Sequence, residues 1–308
     1  MLKLPHSTRR DFLGQLGGLG ALMSLPPGLL AQERLPTRPI PGTGESLPIV
    51  GFGSSKSVLE IASQGSEPIL NVIQSLLDHG GRVVDTSIRT TEIDEAFGRE
   101  VMQVPAIQEN IFLATKVNTP HAEEGIRQHE QTMRLFGRRQ VDLIQVESLN
   151  GLEHHWPRLK EWKDDGQTSY IGVTVSSYRN FDPLEQFMRR ESPDFIHVNY
   201  SPLESRAEER ILPLAQDMGI PTIINRPFMN GTYFSRVGGQ RLPDWAAEFD
   251  CHTWAQLSLK YILSNRAVTC VLTETTNPDH MIENIGAGFG GLPDEAQRRS
   301  IRQLLSNL

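Results

Sequence analysis

Three ionisable residues close successive apolar runs. Asp85 ends "RVVD" (82–85), Lys116 ends "IFLATK" (111–116) and Glu147 ends "VDLIQVE" (141–147). An ammonium set among carboxylates can do two things. It can tie strands together as an ion network, because a buried lysine stays charged only with carboxylate partners. It can also tune a neighbouring acid or base for proton transfer. Directly after Asp85 the chain breaks into "TSIRTTEID", where Thr90 and Thr91 bring only hydroxyls. An aliphatic hydroxyl is a far weaker acid than a phenol, whose pKa is about 10.

The remaining apolar runs also end in polar groups. "SYIGVT" (169–174) ends in Thr174, and "DFIHVN" (194–199) carries His197 and ends in Asn199. "PTIIN" (221–225) ends in Asn225, followed by Arg226, and "VTCVL" (268–272) leads to Thr273 and Glu274. With "LPIVGFG" (47–53) the runs number eight. Amphipathic stretches lie between them. "PILNVIQSLLDHGG" places Ile69, Val72, Ile73, Leu76 and Leu77 on one face and stops at Gly80-Gly81, the spacing of a helix with its terminator. "IRQHEQTMRLFG", "WPRLKEWKDDG", "RILPLAQDMG" and "TWAQLSLKYILS" behave alike.

Strands alternating with helices make parallel βαβ units. Eight of them predict a closed (β/α)8 TIM barrel, in which chemistry sits at the C-terminal ends of the strands. That is where the residues above stand. An open doubly wound sheet is the rival, but "GFGSSKS" after the first strand lacks G-x-G-x-x-G. "RPIPGTGESLPI" predicts an N-terminal hairpin that plugs the barrel bottom, and "PDEAQRRSIRQLL" predicts an extra C-terminal helix.

The chain has 308 residues, 38% hydrophobic and 22% charged, with a formal net charge of −7. This is globular composition. No basic stripe with interleaved aromatics suggests a nucleic-acid partner. Residues 1–31 are predicted to be a twin-arginine signal peptide: Arg9-Arg10 precede Phe12-Leu13 and a glycine-rich apolar run. Gln15 and Pro26-Pro27 interrupt that run, which makes it a poor membrane anchor. The expected mature domain is 32–308, exported to the periplasm, monomeric and without a stable membrane anchor. Cys251 and Cys270 are the two cysteines. An oxidising compartment permits a disulfide, but Cys270 lies in a buried run and is expected to be a free thiol. His121, His129 and the His154-His155 pair are expected at the surface, and no cluster has metal-ligand spacing.

From "RPIPGTGESLPIVGFG" to "TNPDHMIENI" the chain resembles the aldo-keto reductase family, and within it a bacterial branch that carries twin-arginine signals. The family's pattern after the second strand is an aspartate, a tyrosine five residues on, then a glycine and later Leu-Gly. Here stand Asp85, Thr90, Thr91 and Phe97-Gly98. Lys116 in "ATKV" matches the family lysine, and Glu147 in "DLIQVE" stands at the active-site histidine. "YIGVT" and "NRPFMNG" match segments after strands five and seven.

The resemblance implies hydride transfer between NAD(P)H and a small carbonyl compound. The tyrosine protonates the developing alkoxide, its pKa lowered by the lysine, which the aspartate positions. Thr90 cannot replace it, and losing a general acid costs about 10²–10⁴-fold. One branch, the steroid 5β-reductases, also has glutamate at the Glu147 position but keeps its tyrosine. A neutral buried glutamate can donate a hydrogen bond, although Lys116 favours its ionised form. For the cofactor, the resemblance implies a site at Thr174, His197, Asn225, Thr275, His280 and Asn284. Thr275 and Asn284 match the pattern. His280 replaces an arginine and Glu274 a lysine beside the adenosine phosphate. Val175 and His197 stand where amides are usual, and Asn225 where an aromatic often stacks. A weakened NADP or NAD site follows. Two functions remain open: an exported NAD(P)H-dependent carbonyl oxidoreductase of reduced or redirected activity, and a non-catalytic barrel that binds a small molecule or a protein.

The export reading is checked by changing Arg9 and Arg10 together to lysine. The precursor should then remain inside the cell, whereas the unaltered chain should appear outside the cytoplasm, starting near Gln32. Normal export of the double mutant would refute the assignment.

Overall fold

The computed structural model describes residues 34–87 and 91–308. The segment read as a signal peptide and Thr90 lie outside the described residues. A two-stranded hairpin comes first, β1 (Thr37–Pro39) with β2 (Ser46–Pro48). Eight parallel strands follow: β3 (Val50–Gly53), β4 (Val83–Asp85), β5 (Phe112–Val117), β6 (Val141–Glu147), β7 (Thr168–Thr174), β8 (Phe195–Asn199), β9 (Thr222–Asn225) and β10 (Val268–Thr273). They pair in chain order, and β10 closes on β3 through Val271↔Val50 and Thr273↔Phe52. This is the expected (β/α)8 barrel. The run 47–53 is divided, however. Pro48 has no N–H to give a barrel ladder, so 46–48 pairs back on the hairpin and the barrel strand starts only at Val50.

Side chains alternate across a strand, so one parity on each strand points into the barrel. At the N-terminal end that parity is apolar. Val83, Phe112, Leu143, Tyr170, Phe195, Ile223 and Cys270 form one cluster, and Ile40 and Leu47 of the hairpin complete it. The hairpin therefore plugs the bottom. The Arg38 guanidinium fixes it there, donating to the carbonyl oxygens of Leu263, Asn265 and Val268. Gly172 on β7 is required by close approach: a Cβ there would lie 2.5 Å from the Phe195 carbonyl oxygen. Cys270 and Cys251 are both buried and free.

The outer layer contains α1 (Glu67–Asp78), α2 (Ala122–Leu135), α3 (Leu152–Asp164), α4 (Phe181–Glu191), α5 (Ile211–Met218), α6 (Trp254–Leu263), α7 (Pro278–Gly286) and α8 (Glu295–Asn307). No described helix is long and apolar enough to cross a membrane. The expected C-terminal helix is α8, opened by a capping box of Asp294 and Gln297. A polar cluster locks it down. The Glu208 carboxylate accepts from Tyr200, from Tyr261 at 2.6 Å, from Arg298, and from Arg302 at 3.1 Å.

Two histidine expectations are overturned. His121 and His154 are exposed as expected, but His129 and His155 are buried. His155 Nε2 meets the Thr119 carbonyl oxygen at 2.7 Å, and Gly125 on α2 makes room for the ring, since a Cβ there would lie 2.3 Å from it. His129 stacks on Trp162 with centroids 4.1 Å apart. An imidazole is apolar enough on its faces to fill a gap between two helices, and hydropathy alone does not reveal that.

Burial lowers the His129 pKa to about 4. The folded state then resists a proton that the unfolded chain accepts near 6.5. This contribution is fully present above pH 6.5 and is lost as the pH falls from there to 4. Urea midpoints measured across that window should decline toward acid. His129→Phe, which keeps a ring on Trp162 and cannot titrate, should flatten the decline. An unchanged slope in the variant would assign the acid sensitivity elsewhere.

Candidate active site

At the C-terminal end of the barrel the inward parity turns polar. Asp85 is two residues beyond Val83, Lys116 four beyond Phe112, and Glu147 four beyond Leu143. Thr174, His197 and Asn225 take the same parity on β7, β8 and β9. These six line one cavity of about 540 Å³, together with Ser54–Ser57, Ser87, Arg226–Phe228, Phe234, Leu272 and Glu274–Thr276.

Lys116 Nζ donates to Asp85 Oδ2 at 2.5 Å and to the Thr86 carbonyl oxygen at 3.2 Å. Both side chains are only 9% exposed, so this is a buried ion pair. Asp85 Oδ1 accepts from Gln145 Nε2 at 3.3 Å. Lys116 therefore pairs with Asp85. Glu147 is half-buried and lines the same cavity as the pair. Gln145 is a site residue that the reading missed. Its signal was its position two residues before Glu147, on the same face of β6.

His197 Nδ1 lies 3.8 Å from Asp85 Oδ1. Neither ring nitrogen of His197 has a hydrogen-bond partner. Burial, the largest influence, lowers its pKa to about 4; Asp85 opposes this and Lys116 adds to it. The imidazole is neutral at pH 7. Asn225 gives its amide N–H to the Val175 carbonyl oxygen at 3.0 Å, which leaves its buried Oδ1 as an unpartnered acceptor. Arg226 has φ of 53° and donates to the Ser176 carbonyl oxygen at 2.7 Å. Ser148 and Leu149 after β6 also have positive φ, a conformation that clusters where a fold shapes a site.

Glu274 has a local task as well. Its carboxylate accepts from the backbone N–H of Lys56, from that of Ser57 at 2.9 Å, and from the Ser55 hydroxyl at 3.3 Å. It clasps the loop after β3 to the loop after β10 across the rim. Of the other cofactor candidates, Thr275 lines the cavity. His280, exposed on α7, and Asn284, buried on α7, do not line it. Thr91 opens the short helix Thr91–Phe97. Among the described residues, no three His, Cys, Asp or Glu side chains gather as a metal site.

A buried Lys–Asp pair thus stands at the mouth of an eight-stranded barrel, ringed by polar groups and flanked by aromatic ones. A family profile described as the aldo/keto reductase family matches residues 50–304, and the chain belongs to that family. It is similar to the NADH-specific methylglyoxal reductase of Escherichia coli, 25% identical over 155 residues, and to the pyridoxal 4-dehydrogenase of Microbacterium luteolum, 23% identical over 202 residues. Those alignments span 42% and 55% of this chain and 46% and 58% of the relatives, so the chain matches about half their length. Among solved structures, a holo aldo-keto reductase from Bacillus halodurans superposes with a TM-score of 0.67 at 20% identity, covering 88% of this chain and 96% of that one. An aldo-keto reductase from Klebsiella pneumoniae in complex with NADP and acetate gives 0.65 at 18% identity, covering 84% and 92%. At these identities the likeness is one of fold.

Lys116→Met removes the cation and leaves Asp85 buried with only the Gln145 amide. The variant should lose about 3 kcal/mol of stability at pH 7, as when one partner of a buried pair is deleted. Asp85→Asn in the same background should recover part of the loss, since the uncompensated charge is then gone. Additive losses in the double mutant would show that the pair is not what holds this corner.

Proposed function

We propose that the chain is an NAD(P)-dependent oxidoreductase acting on a small carbonyl compound or its alcohol, with turnover reduced or redirected by Thr90 and Glu147. The observation that carries this reading is the buried Lys116–Asp85 pair at the floor of the barrel mouth. An ammonium held there stabilises negative charge developing on a ligand oxygen, and Asp85 and the Thr86 carbonyl oxygen fix its position.

The residues present fit a nicotinamide dinucleotide. Asn225 Oδ1 is an unpartnered acceptor suited to the N–H of a carboxamide. Phe228, Phe234 and Leu272 offer apolar surface to flat rings, and Thr174 and Thr275 offer hydroxyls. Bound there, the cofactor supplies or accepts hydride. Glu274 places a carboxylate on the rim beside Thr275 and Thr276, which disfavours a further phosphate at that edge, so NAD(H) is the better match. His280 and Asn284 on α7 would act only on the outer part of such a ligand. In this reading the protein works outside the cytoplasm, after export on the twin-arginine signal, as a monomer.

A second reading is a non-catalytic barrel that binds a small molecule or a protein partner at the same mouth. Glu274 favours it, since the clasp holds in place two loops that a long cofactor would have to pass.

Fluorescence titration with NADH and NADPH separates the two: binding, tighter for NADH, supports the first reading, and silence with both supports the second. Wild-type reduction of simple aldehydes should be barely above background. Thr90→Tyr should raise it, and Glu147→His with Glu274→Lys should raise it further and shift it toward NADPH. Brisk wild-type turnover would mean that another group moves the proton. A triple mutant that binds cofactor but stays inert would mean that the mouth serves another reaction.

A further inference from the structure

His197, a cofactor candidate by resemblance, has had no part in the proton transfer so far. It is buried on β8, it lines the cavity, and both ring nitrogens lack a hydrogen-bond partner. A buried polar group without a partner is costly and rare, and such exceptions concentrate where a ligand completes the site. The charged groups around it come from several strands. Asp85 on β4 is 3.8 Å from Nδ1, and Lys116 on β5 is paired to the same carboxylate. Glu147 stands at the end of β6 and Arg226 just beyond β9. The adjoining strands β7 and β9 face it with uncharged Thr174 and Ile223. The Asp85 charge near Nδ1, too far for a hydrogen bond, favours through space the tautomer with hydrogen on that atom. Nε2 is then the free acceptor.

We infer that His197 meets the reacting oxygen of the substrate, its Nε2 accepting the hydroxyl hydrogen of the alcohol form while Asp85 faces Nδ1–H. The inference rests on the oxidoreductase reading above. In the oxidising direction, NAD(P)⁺ held as proposed above would take up the hydride of the breaking carbinol C–H bond. The O–H bond breaks and its proton passes to Nε2, and the C–O bond becomes C=O. The resulting imidazolium lies beside the Asp85 carboxylate and releases its proton to solvent through the mouth. Reduction runs the same steps backwards. A proton-transfer group is thus supplied from β8, where the sequence at position 90 offers only a threonine hydroxyl. Burial keeps the free imidazole neutral down to about pH 4, so it is ready as an acceptor across the neutral range.

The test uses the purified full chain labelled with 15N-histidine, NAD⁺, and benzyl alcohol as the hydroxyl probe. Benzyl alcohol should move the Nε2 resonance of His197. His197→Phe should bind NAD⁺ within about twofold of wild type, yet bind benzyl alcohol about tenfold more weakly, the equivalent of one lost hydrogen bond. His197→Gln, which keeps an acceptor but cannot titrate, should recover most of the binding while removing the acid limb of any oxidation profile. Three results overturn the inference: no shift of Nε2, equal alcohol binding by His197→Phe, or a loss that falls on NAD⁺ instead, which would make His197 a cofactor contact. If the wild type binds neither dinucleotide, the oxidoreductase reading fails separately, and the Nε2 shift with benzyl alcohol alone still reads the contact.

Discussion

Every second residue of eight parallel strands must fit inside one closed barrel, and this packing constraint orders the whole molecule. The interior is too narrow for water and must be filled by side chains. At the hairpin end it is filled by Phe112, Tyr170, Phe195 and their neighbours. One or two steps along each strand the same parity arrives at Asp85, Lys116, Gln145, Thr174, His197 and Asn225. The polar end is affordable only because those groups answer one another. Lys116 takes Asp85, Gln145 takes the other oxygen of Asp85, and Asn225 takes the Val175 carbonyl. Left over are both nitrogens of His197 and one oxygen each of Gln145, Asn199 and Asn225.

Much of this was legible in the sequence, because parallel strands are buried on both faces and read as continuous apolar runs. Their last polar residues had to fall at one end of the barrel. For that reason Asp85, Lys116, Glu147, Thr174, His197 and Asn225 do share a cavity. Of the residues that only the family resemblance pointed to, Thr275 lines it just beyond β10, while His280 and Asn284 lie on α7 and do not. Thr90, which the resemblance sets at the family tyrosine, lies outside the described residues.

The parts that escaped are those set by contacts between distant segments. Nothing local in "TETT" indicates that Glu274 would find backbone N–H groups at Lys56 and Ser57. Nothing local in "RAEER" indicates that Glu208 would be surrounded by two tyrosines and two arginines. The burial of His129 and His155 depended on the spacing of α2 and α3, which Gly125 permits. The break before Val50 was visible in principle, since Pro48 cannot serve inside a ladder, but the apolar run conceals it.

Closure of the barrel by β10 against β3 has a consequence for how the molecule is made. The first barrel strand leaves the ribosome early and waits for the last. Until residues near Val271 emerge, Val50 and Phe52 have one neighbour strand instead of two. The Arg38 latch also waits, because its acceptors Leu263, Asn265 and Val268 belong to the same late segment. The guanidiniums around Glu208 arrive later still, with α8. Pairings of such long sequence separation slow folding. The nascent chain therefore has no closed intermediate in which to rest, and a product truncated before α8 leaves the Glu208 carboxylate without the two cations that balance it.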